Sequence, residues 1–131
     1  YSFGDDIHLL QEHGWSNQNA MGNPRRTAGL KTPNAFGLYD MHGNLVEWCQ
    51  ECLDTKWYGK SPALDPVAPD PPTNQRGTFY SWRVLRGGNW YNSPAHCRSA
   101  FRFSGAPSFR NHFIGFRVVR TLPAADLDAG A

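Results

Sequence analysis

The sequence NAFGLYDMHGNLVEW, at residues 34–48, decides the fold of this chain. Gly37 and Gly43 interrupt a run that is too short for an ordinary helix, yet the apolar residues around them are too frequent for a solvated loop. The stretch is therefore predicted to form a tight turn that leads into a short buried segment.

Two carboxylates of this stretch, Asp40 and Glu47, lie on either side of the turn formers Gly43 and Asn44. If the chain folds back at this turn, both carboxylates and the carbonyls between them face one point, which is the mixture of oxygen ligands that calcium prefers. The residues alone leave a second interpretation open, in which Asp40 caps a turn and Glu47 pairs with one of the arginines.

The end of this stretch is the first of four motifs that occur in a fixed order along the chain. They are GLYDMHGNLVEW at 37–48, RVLRGGNW at 83–90, RSAFR at 98–102 and GFRVVR at 115–120. In this order they resemble the formylglycine-generating-enzyme-like (sulfatase-modifying-factor) family, and YSFGDD at the start resembles an upstream landmark of the same domain. The resemblance implies an α+β fold of the loop-rich, C-type-lectin-like kind with a small antiparallel sheet. It also implies calcium bound by the side chains of Asp40 and Glu47 and the carbonyls of Gly43 and Leu45.

Length and composition predict one domain over residues 1–131. The 13 glycines and 10 prolines, beside 5 tryptophans, 5 tyrosines and 8 phenylalanines, indicate aromatic side chains packed under irregular loops. The resemblance implies a further N-terminal half of the usual domain, which is expected to be absent from this sequence. Either that half lies on another piece of polypeptide and is a partner of this chain, or the chain is a reduced version of the domain that closes its core differently.

Charge and hydropathy predict neither a nucleic-acid partner nor a membrane span. The net charge is only +2 and the arginines are spread along the chain rather than clustered. No stretch approaches the roughly 18 apolar residues that a membrane span needs.

The short local patterns predict few regular elements. Arg83, Val84, Leu85 and Arg86 alternate as in a strand, Gly87 and Gly88 allow a bend, and residues 114–119 alternate as a closing strand. Residues 5–10 predict one or two helical turns, and the proline-rich residues 61–73 predict a surface loop.

Cys49 and Cys52 form a CxxC pair, a spacing found in zinc and redox sites. A zinc site needs a second pair of ligands at suitable spacing, and Cys97 with scattered histidines does not supply one. The cysteines are therefore predicted to have no catalytic role, and an oxidising compartment would permit a disulfide between Cys49 and Cys52.

The resemblance also bears on catalysis. Members that make formylglycine carry a copper-binding cysteine pair, five residues apart, just after the Gly-Gly. Counted from Gly87, these positions hold Asn92 and Cys97, whereas counted back from RSAFR, Cys97 falls outside the pair. At least one thiolate that copper(I) requires is missing on either count, so no copper is expected. The related sulfoxide synthases bind iron through a helical domain that has no counterpart in this sequence.

Residues 90–119 also resemble the C-terminal segment of the variable proteins of diversity-generating retroelements, which use the same lectin-like fold to display a changeable ligand-binding face. The resemblance implies a fixed scaffold at Trp90, Pro94, Cys97, Arg98, Ser99, Ala100, Arg102, Pro107, Arg110, Ile114, Gly115, Phe116 and Arg117. The ligand-binding positions would be Tyr91, Asn92, Ser93, Ala95, His96, Phe101, Phe103, Ser104, Gly105, Ser108, Phe109, Asn111, His112 and Phe113.

The residue types at these variable positions fit a display surface. None is Lys, Glu, Gln, Met or Trp, so each can arise from an asparagine codon by unfaithful copying of adenines. Aromatic residues among small polar ones are the composition of antibody paratopes, which predicts a protein or another macromolecular ligand at the 91–113 surface. The alternative is that Phe101, Phe103, Phe109 and Phe113 are simply core.

Taken together, the sequence predicts a non-catalytic, calcium-stabilised ligand-binding module. The second hypothesis is a catalytic or accessory member of the formylglycine-generating-enzyme and sulfoxide-synthase family.

Overall fold

The computed structural model describes residues 1–20, 27–54, 56–63, 68, 70 and 81–119. The strands are short: β1 (Gly14–Trp15), β2 (His42–Gly43), β3 (Val46–Cys52), β4 (Arg83–Arg86), β5 (Phe103–Gly105) and β6 (Ile114–Gly115). One α-helix, α1 (Leu10–His13), and the 3-10 helices Ile7–Leu9, Trp57–Gly59 and Pro94–Cys97 are found in this part of the chain. The predicted loop-rich α+β architecture is confirmed.

The main sheet has the strand order β5-β4-β3-β6. Strands β3, β4 and β5 are antiparallel neighbours, and β6 runs parallel to β3. The predicted strand Arg83–Arg86 is confirmed as β4. Both Val84 and Leu85 are buried, because the sheet is covered on both faces at this strand.

The central stretch forms the predicted turn and buried segment. The Gly37 N–H donates to the Asn34 carbonyl, and β2 and β3 follow. Strand β2 lies parallel to β1 so closely that a Cβ on Gly43 would lie 2.0 Å from the Trp15 carbonyl oxygen. Gly43 also has a φ of +88°, so its lack of a side chain is required twice over.

His42 connects the central stretch to the rest of the domain from a buried position. Its Nδ1 donates to the Cys97 carbonyl at 2.8 Å, and its Nε2 accepts the Ser2 N–H at 2.9 Å. Burial lowers the pKa of His42, so the neutral imidazole fits this arrangement of one donor and one acceptor.

Several local expectations need correction. Only Ile114–Gly115 of the predicted closing strand is a strand, and residues 116–119 continue without ladder bonds. Strand β3 extends beyond the central stretch as far as Cys52. The helical turns predicted at residues 5–10 are found at residues 7–13 instead. Most of the loop predicted at 61–73 lies outside the described residues, but Ala68 is buried.

Within the described ranges, no helix is long and apolar enough to cross a membrane.

Candidate functional site

A cavity of about 280 Å³ lies over one face of the main sheet. The fold brings six of the fourteen predicted ligand-binding residues to its wall, namely Tyr91, Asn92, His96, Phe101, Phe103 and Phe113. Val46 and Asn89 complete the lining. No charged side chain is among these lining residues, so the cavity is aromatic with a few neutral polar groups.

The loop that builds the cavity is anchored by Cys97. The 3-10 helix Pro94–Cys97 places the Cys97 side chain in a fully buried position. Gly88, with a φ of +70°, packs so tightly there that a Cβ would lie 2.8 Å from the Cys97 sulfur. The buried Cys97 side chain fixes the end of this 3-10 helix. His96, the residue before Cys97, therefore lies against the ring of Phe101, with ring centroids 4.6 Å apart.

The aromatic side chains of the segment lie outside the buried core. Tyr91 is 72% exposed, Phe103 46% and Phe109 38%. Phe101 and Phe113 are half-buried. The alternative that Phe101, Phe103, Phe109 and Phe113 are simply core does not describe this arrangement.

The remaining predicted positions are spread around the segment rather than on the cavity. Phe109 covers Gly105, where a Cβ would lie 3.2 Å from the Phe109 Cδ1 atom. Half-buried or exposed surface positions are held by Ser93, Ala95, Ser104, Ser108, Asn111 and His112.

Two predicted ligand-binding residues have structural roles. Gly105 is buried under Phe109 and Trp48 and does not face the surface. The Asn92 side-chain oxygen accepts the N–H of Asn89 at 3.1 Å, which commits Asn92 to the turn.

Asn89 is a cavity residue that the sequence did not single out. Its Oδ1 accepts the N–H groups of Tyr91, at 2.9 Å, and of Asn92, at 3.2 Å. An asparagine that follows two glycines is a typical turn former, and this signal could have revealed its role.

The predicted scaffold is only partly internal. Pro94 and Cys97 are buried and Trp90 is half-buried, as a scaffold requires. Phe116, by contrast, is 77% exposed, so this predicted scaffold residue does not pack inside the described structure. The physical reason is its position, since Phe116 lies just beyond Gly115, the last paired residue of the edge strand β6.

The two carboxylates predicted to bind calcium have other partners. Asp40 Oδ2 accepts the Gly29 N–H at 2.8 Å, and both oxygens of Glu47 accept N–H groups of Arg117, at 2.8 and 2.9 Å. The same guanidinium donates to the Tyr39 carbonyl, and the hydrogen bonds to Glu47 raise the pKa of Arg117. These contacts correspond to the second interpretation of the sequence, in which Asp40 caps a turn and Glu47 pairs with an arginine.

One feature still suits a cation. Asp40 Oδ1 is buried and has no hydrogen-bond partner among the described residues. In the present arrangement Arg117 occupies both oxygens of Glu47, so within the predicted set Asp40, Gly43, Leu45 and Glu47 this carboxylate is open to a cation only if Arg117 moves away. The described part of the chain also has no group of three or more His, Cys, Asp or Glu side chains that could hold a metal.

The three cysteines are free thiols. Cys49 and Cys52 are not joined, and the Cys52 thiol donates to Asp70 at 3.3 Å. Burial raises the pKa of Cys97 to about 12, which keeps this thiol protonated at neutral pH. When the copper-binding cysteine pair of the formylglycine-generating enzymes is counted from Gly87, its other position is Asn92, which has no thiol.

The chain matches the model of the sulfatase-modifying factor enzyme 1-like domain over residues 4–122. The chain belongs to this sulfatase-modifying-factor family. The predicted family and fold class are therefore confirmed.

Relatives within the family differ in what they do. The chain is 36% identical over 110 residues to the formylglycine-generating enzyme of Streptomyces coelicolor, covering 80% of this chain and 32% of that enzyme. It is 38% identical over 94 residues to the serine/threonine-protein kinase pkn1 of Chlamydia pneumoniae, covering 69% of this chain and 14% of the kinase. The chain thus spans less than a third of the length of either curated relative.

Among solved structures, variable protein 1 of Treponema denticola is similar, with a TM-score of 0.60 and 27% sequence identity. The match covers 83% of this chain and 36% of the variable protein.

Proposed function

We propose that this member of the sulfatase-modifying-factor family is a non-catalytic ligand-binding module that displays a changeable surface at residues 91–113, as in a variable protein of a diversity-generating retroelement. The observation that carries the proposal is the placement of Tyr91, Phe101, Phe103, Phe109 and Phe113 outside the buried core. Large aromatic side chains that gather at a surface mark a partner site. The likeness to a variable protein of Treponema denticola supports the same conclusion.

The chemistry of the cysteines supports a non-catalytic role. Copper(I) needs thiolate ligands, and the positions counted from Gly87 offer an asparagine and a protonated, fully buried thiol. If the chain were instead a catalytic member like its formylglycine-generating relative, it would bind copper(I) stoichiometrically, and this binding would disappear in Cys97→Ser. We expect neither result.

A library on the cell surface of yeast tests the display function. The codons of Tyr91, Phe101, Phe103, Phe109 and Phe113 are replaced by NNT, and clones are sorted first for folded expression and then for binding to an unrelated protein. A control library randomises buried residues in the same way at Leu10, Ala20, Val84, Leu85 and Cys97.

We expect a large share of the first library to fold and to yield binders, and the control library to be mostly unfolded. The proposal fails if folded clones of the first library retain aromatic residues at these positions. Independently, a genome that carries the gene beside a reverse transcriptase and a near-repeat encoding residues 90–119 would support the retroelement origin.

Calcium stabilisation is the second part of the proposal. The unpartnered Asp40 Oδ1 atom supports it, because a buried carboxylate oxygen gains most from a cation. Glu47 can take part only if Arg117 leaves, so calcium and Arg117 would compete for the same carboxylate.

A further inference from the structure

We propose that the cavity over the main sheet takes an apolar or aromatic side chain of a protein partner, and that acidic residues flank this side chain in the partner. The inference rests on the proposed display function and names the chemistry that the present surface selects. Three properties carry it: the polarity of the cavity, its size, and the charge of the segment around it.

The two asparagine side-chain oxygens in the cavity wall are already engaged. Both lone pairs of the Asn89 side-chain oxygen are taken by backbone N–H groups, and the Asn92 oxygen holds a third. A sugar brings many hydroxyl groups that need acceptors, and these two asparagine oxygens have few acceptor sites left. An apolar or aromatic group loses nothing there and gains contact with Tyr91, Phe101 and Phe113.

The size of the cavity suits a single side chain. Its volume is about 280 Å³, just below the ~300–1,000 Å³ that is usual for small-molecule sites. A cavity of about 150 Å³ is enough for a benzene molecule. One phenylalanine, tyrosine or tryptophan side chain therefore fits, and this matches the way in which buried aromatic anchors hold protein interfaces.

The segment around the cavity is positively charged. Residues 81–119 contain six arginines and no Asp or Glu. Three of the arginines pair with acidic residues elsewhere in the domain, in the pairs Arg83–Asp70, Arg86–Glu51 and Arg117–Glu47.

Arg98 and Arg110 differ from these three. Both are exposed, and neither pairs with an acidic side chain within the described ranges. The Arg98 carbonyl accepts the N–H of the cavity residue Phe101, and Arg110 lies three residues before the cavity residue Phe113. Exposed positive charges on residues so close in the chain to the cavity lining favour a partner with carboxylates next to its anchoring side chain.

A peptide titration tests the proposal. Two blocked pentapeptides are used, each with a central phenylalanine that is flanked on both sides by two glutamates or by two lysines. A third peptide has serine in place of phenylalanine between the glutamates. Binding is followed by the shifts of backbone amide signals in two-dimensional NMR spectra.

We expect the glutamate-flanked phenylalanine peptide to shift the signals of Phe101 and Phe113. The lysine-flanked and serine peptides should bind at least tenfold more weakly. Raising the salt concentration from 50 to 300 mM should weaken binding of the acidic peptide by several-fold, because the flanking charges are exposed and screened.

Variants separate the aromatic from the charged contribution. Tyr91→Ser, at the most exposed of the cavity aromatics, should reduce affinity for the acidic peptide without unfolding the domain. Arg98→Gln and Arg110→Gln should each weaken it about two- to fivefold and reduce its salt dependence. Lys56→Gln, at an exposed lysine outside the segment, is the charge-matched control and should change nothing.

Equal binding of the acidic and basic peptides would overturn the proposal, as would tighter binding of an eight-residue thymidine oligonucleotide or of a neutral oligosaccharide. If the yeast library gives binders but no peptide shifts the cavity signals, this inference fails while the display function stands. If the library does not fold, the display function itself fails.

Discussion

The central segment, residues 37–48, and the proposed display segment, residues 91–113, differ in the kind of side chain that they bury. The central segment buries Asp40, His42 and Asn44 while leaving Leu38 and Tyr39 exposed. Among the fourteen predicted variable positions of the display segment, only Gly105 is buried, although five of these positions are Phe or Tyr. The central segment is therefore held by backbone geometry and polar contacts, whereas the proposed display segment is held by the buried Cys97 and leaves its aromatic rings outside the core.

The largest effect is expected for Gly43→Ala in the central segment. The new Cβ would overlap the Trp15 carbonyl and strain a backbone with a φ of +88°, and together these should cost about 4 kcal/mol or more. Urea denaturation measures the free energy of unfolding.

Two further glycine substitutions test whether the backbone clash causes the loss of stability in Gly43→Ala. Gly105→Ala in the display segment meets only side chains, which can move, and should cost about 1 kcal/mol. Gly59→Ala has no atom within 4 Å and should be nearly neutral. A cost for Gly43→Ala no larger than that for Gly105→Ala would remove the proposed difference between the segments.

The next largest effect is expected for one cross-strand pair, in which one side chain is buried and the other is exposed. Leu85 and Phe103 are partners across β4 and β5, but Leu85 is fully buried and Phe103 is 46% exposed. Leu85→Ala should cost about 3 kcal/mol by opening a cavity, and Phe103→Ala about 1 kcal/mol or less. Thermal and urea unfolding check both values, and similar costs would mean that Phe103 belongs to the core.

A smaller effect concerns pH and the buried anchor of the display segment. Burial raises the pKa of Cys97 from 9.0 to about 12, so between these pH values the unfolded chain releases this proton and the folded chain keeps it. Stability from Cys97 is therefore fully present below pH 9 and falls as pH rises towards 12. The loss between pH 9 and pH 10 should be about 1 kcal/mol.

Cys97→Ser supplies the reference for this measurement, because all other titrating groups are the same in both proteins. The difference in unfolding free energy between the original protein and this variant should shrink from pH 8 to pH 10. A difference that stays constant would show that the Cys97 thiol ionises equally in both states.

The smallest effect concerns the carboxylates of the central segment. Without calcium, Glu47→Gln should cost less than about 1 kcal/mol, because the Glu47–Arg117 pair is partly exposed. If calcium binds as proposed, Arg117→Gln should strengthen calcium binding and Glu47→Gln should weaken it. The melting temperatures of the original protein, Glu47→Gln and Arg117→Gln are measured in calcium and in a chelator. If calcium changes the melting temperature of none of these three proteins, the calcium proposal is wrong.

Sequence patterns were sufficient where the physics is local. The turn at Gly37, the strand Arg83–Arg86 and the helical turns at residues 7–13 follow from glycine placement, alternation and short-range hydrogen bonding. The two carboxylates Asp40 and Glu47 were also evident, but the sequence could not choose between a metal and an arginine as their partner. Arg117 is 70 positions away from Glu47, and only the pairing of β6 with β3 brings the two together.

The sequence by itself determined the family and the loop-rich fold class, because these depend on residue types in a fixed order, and it is the source of the proposed set of display residues. The tertiary structure alone decided which of those residues share a cavity, that Asn92 and Gly105 serve the scaffold, and that Phe116 lies exposed. The reason is physical, since in a chain with few regular elements the direction of a side chain is set by contacts between distant loops rather than by a local period.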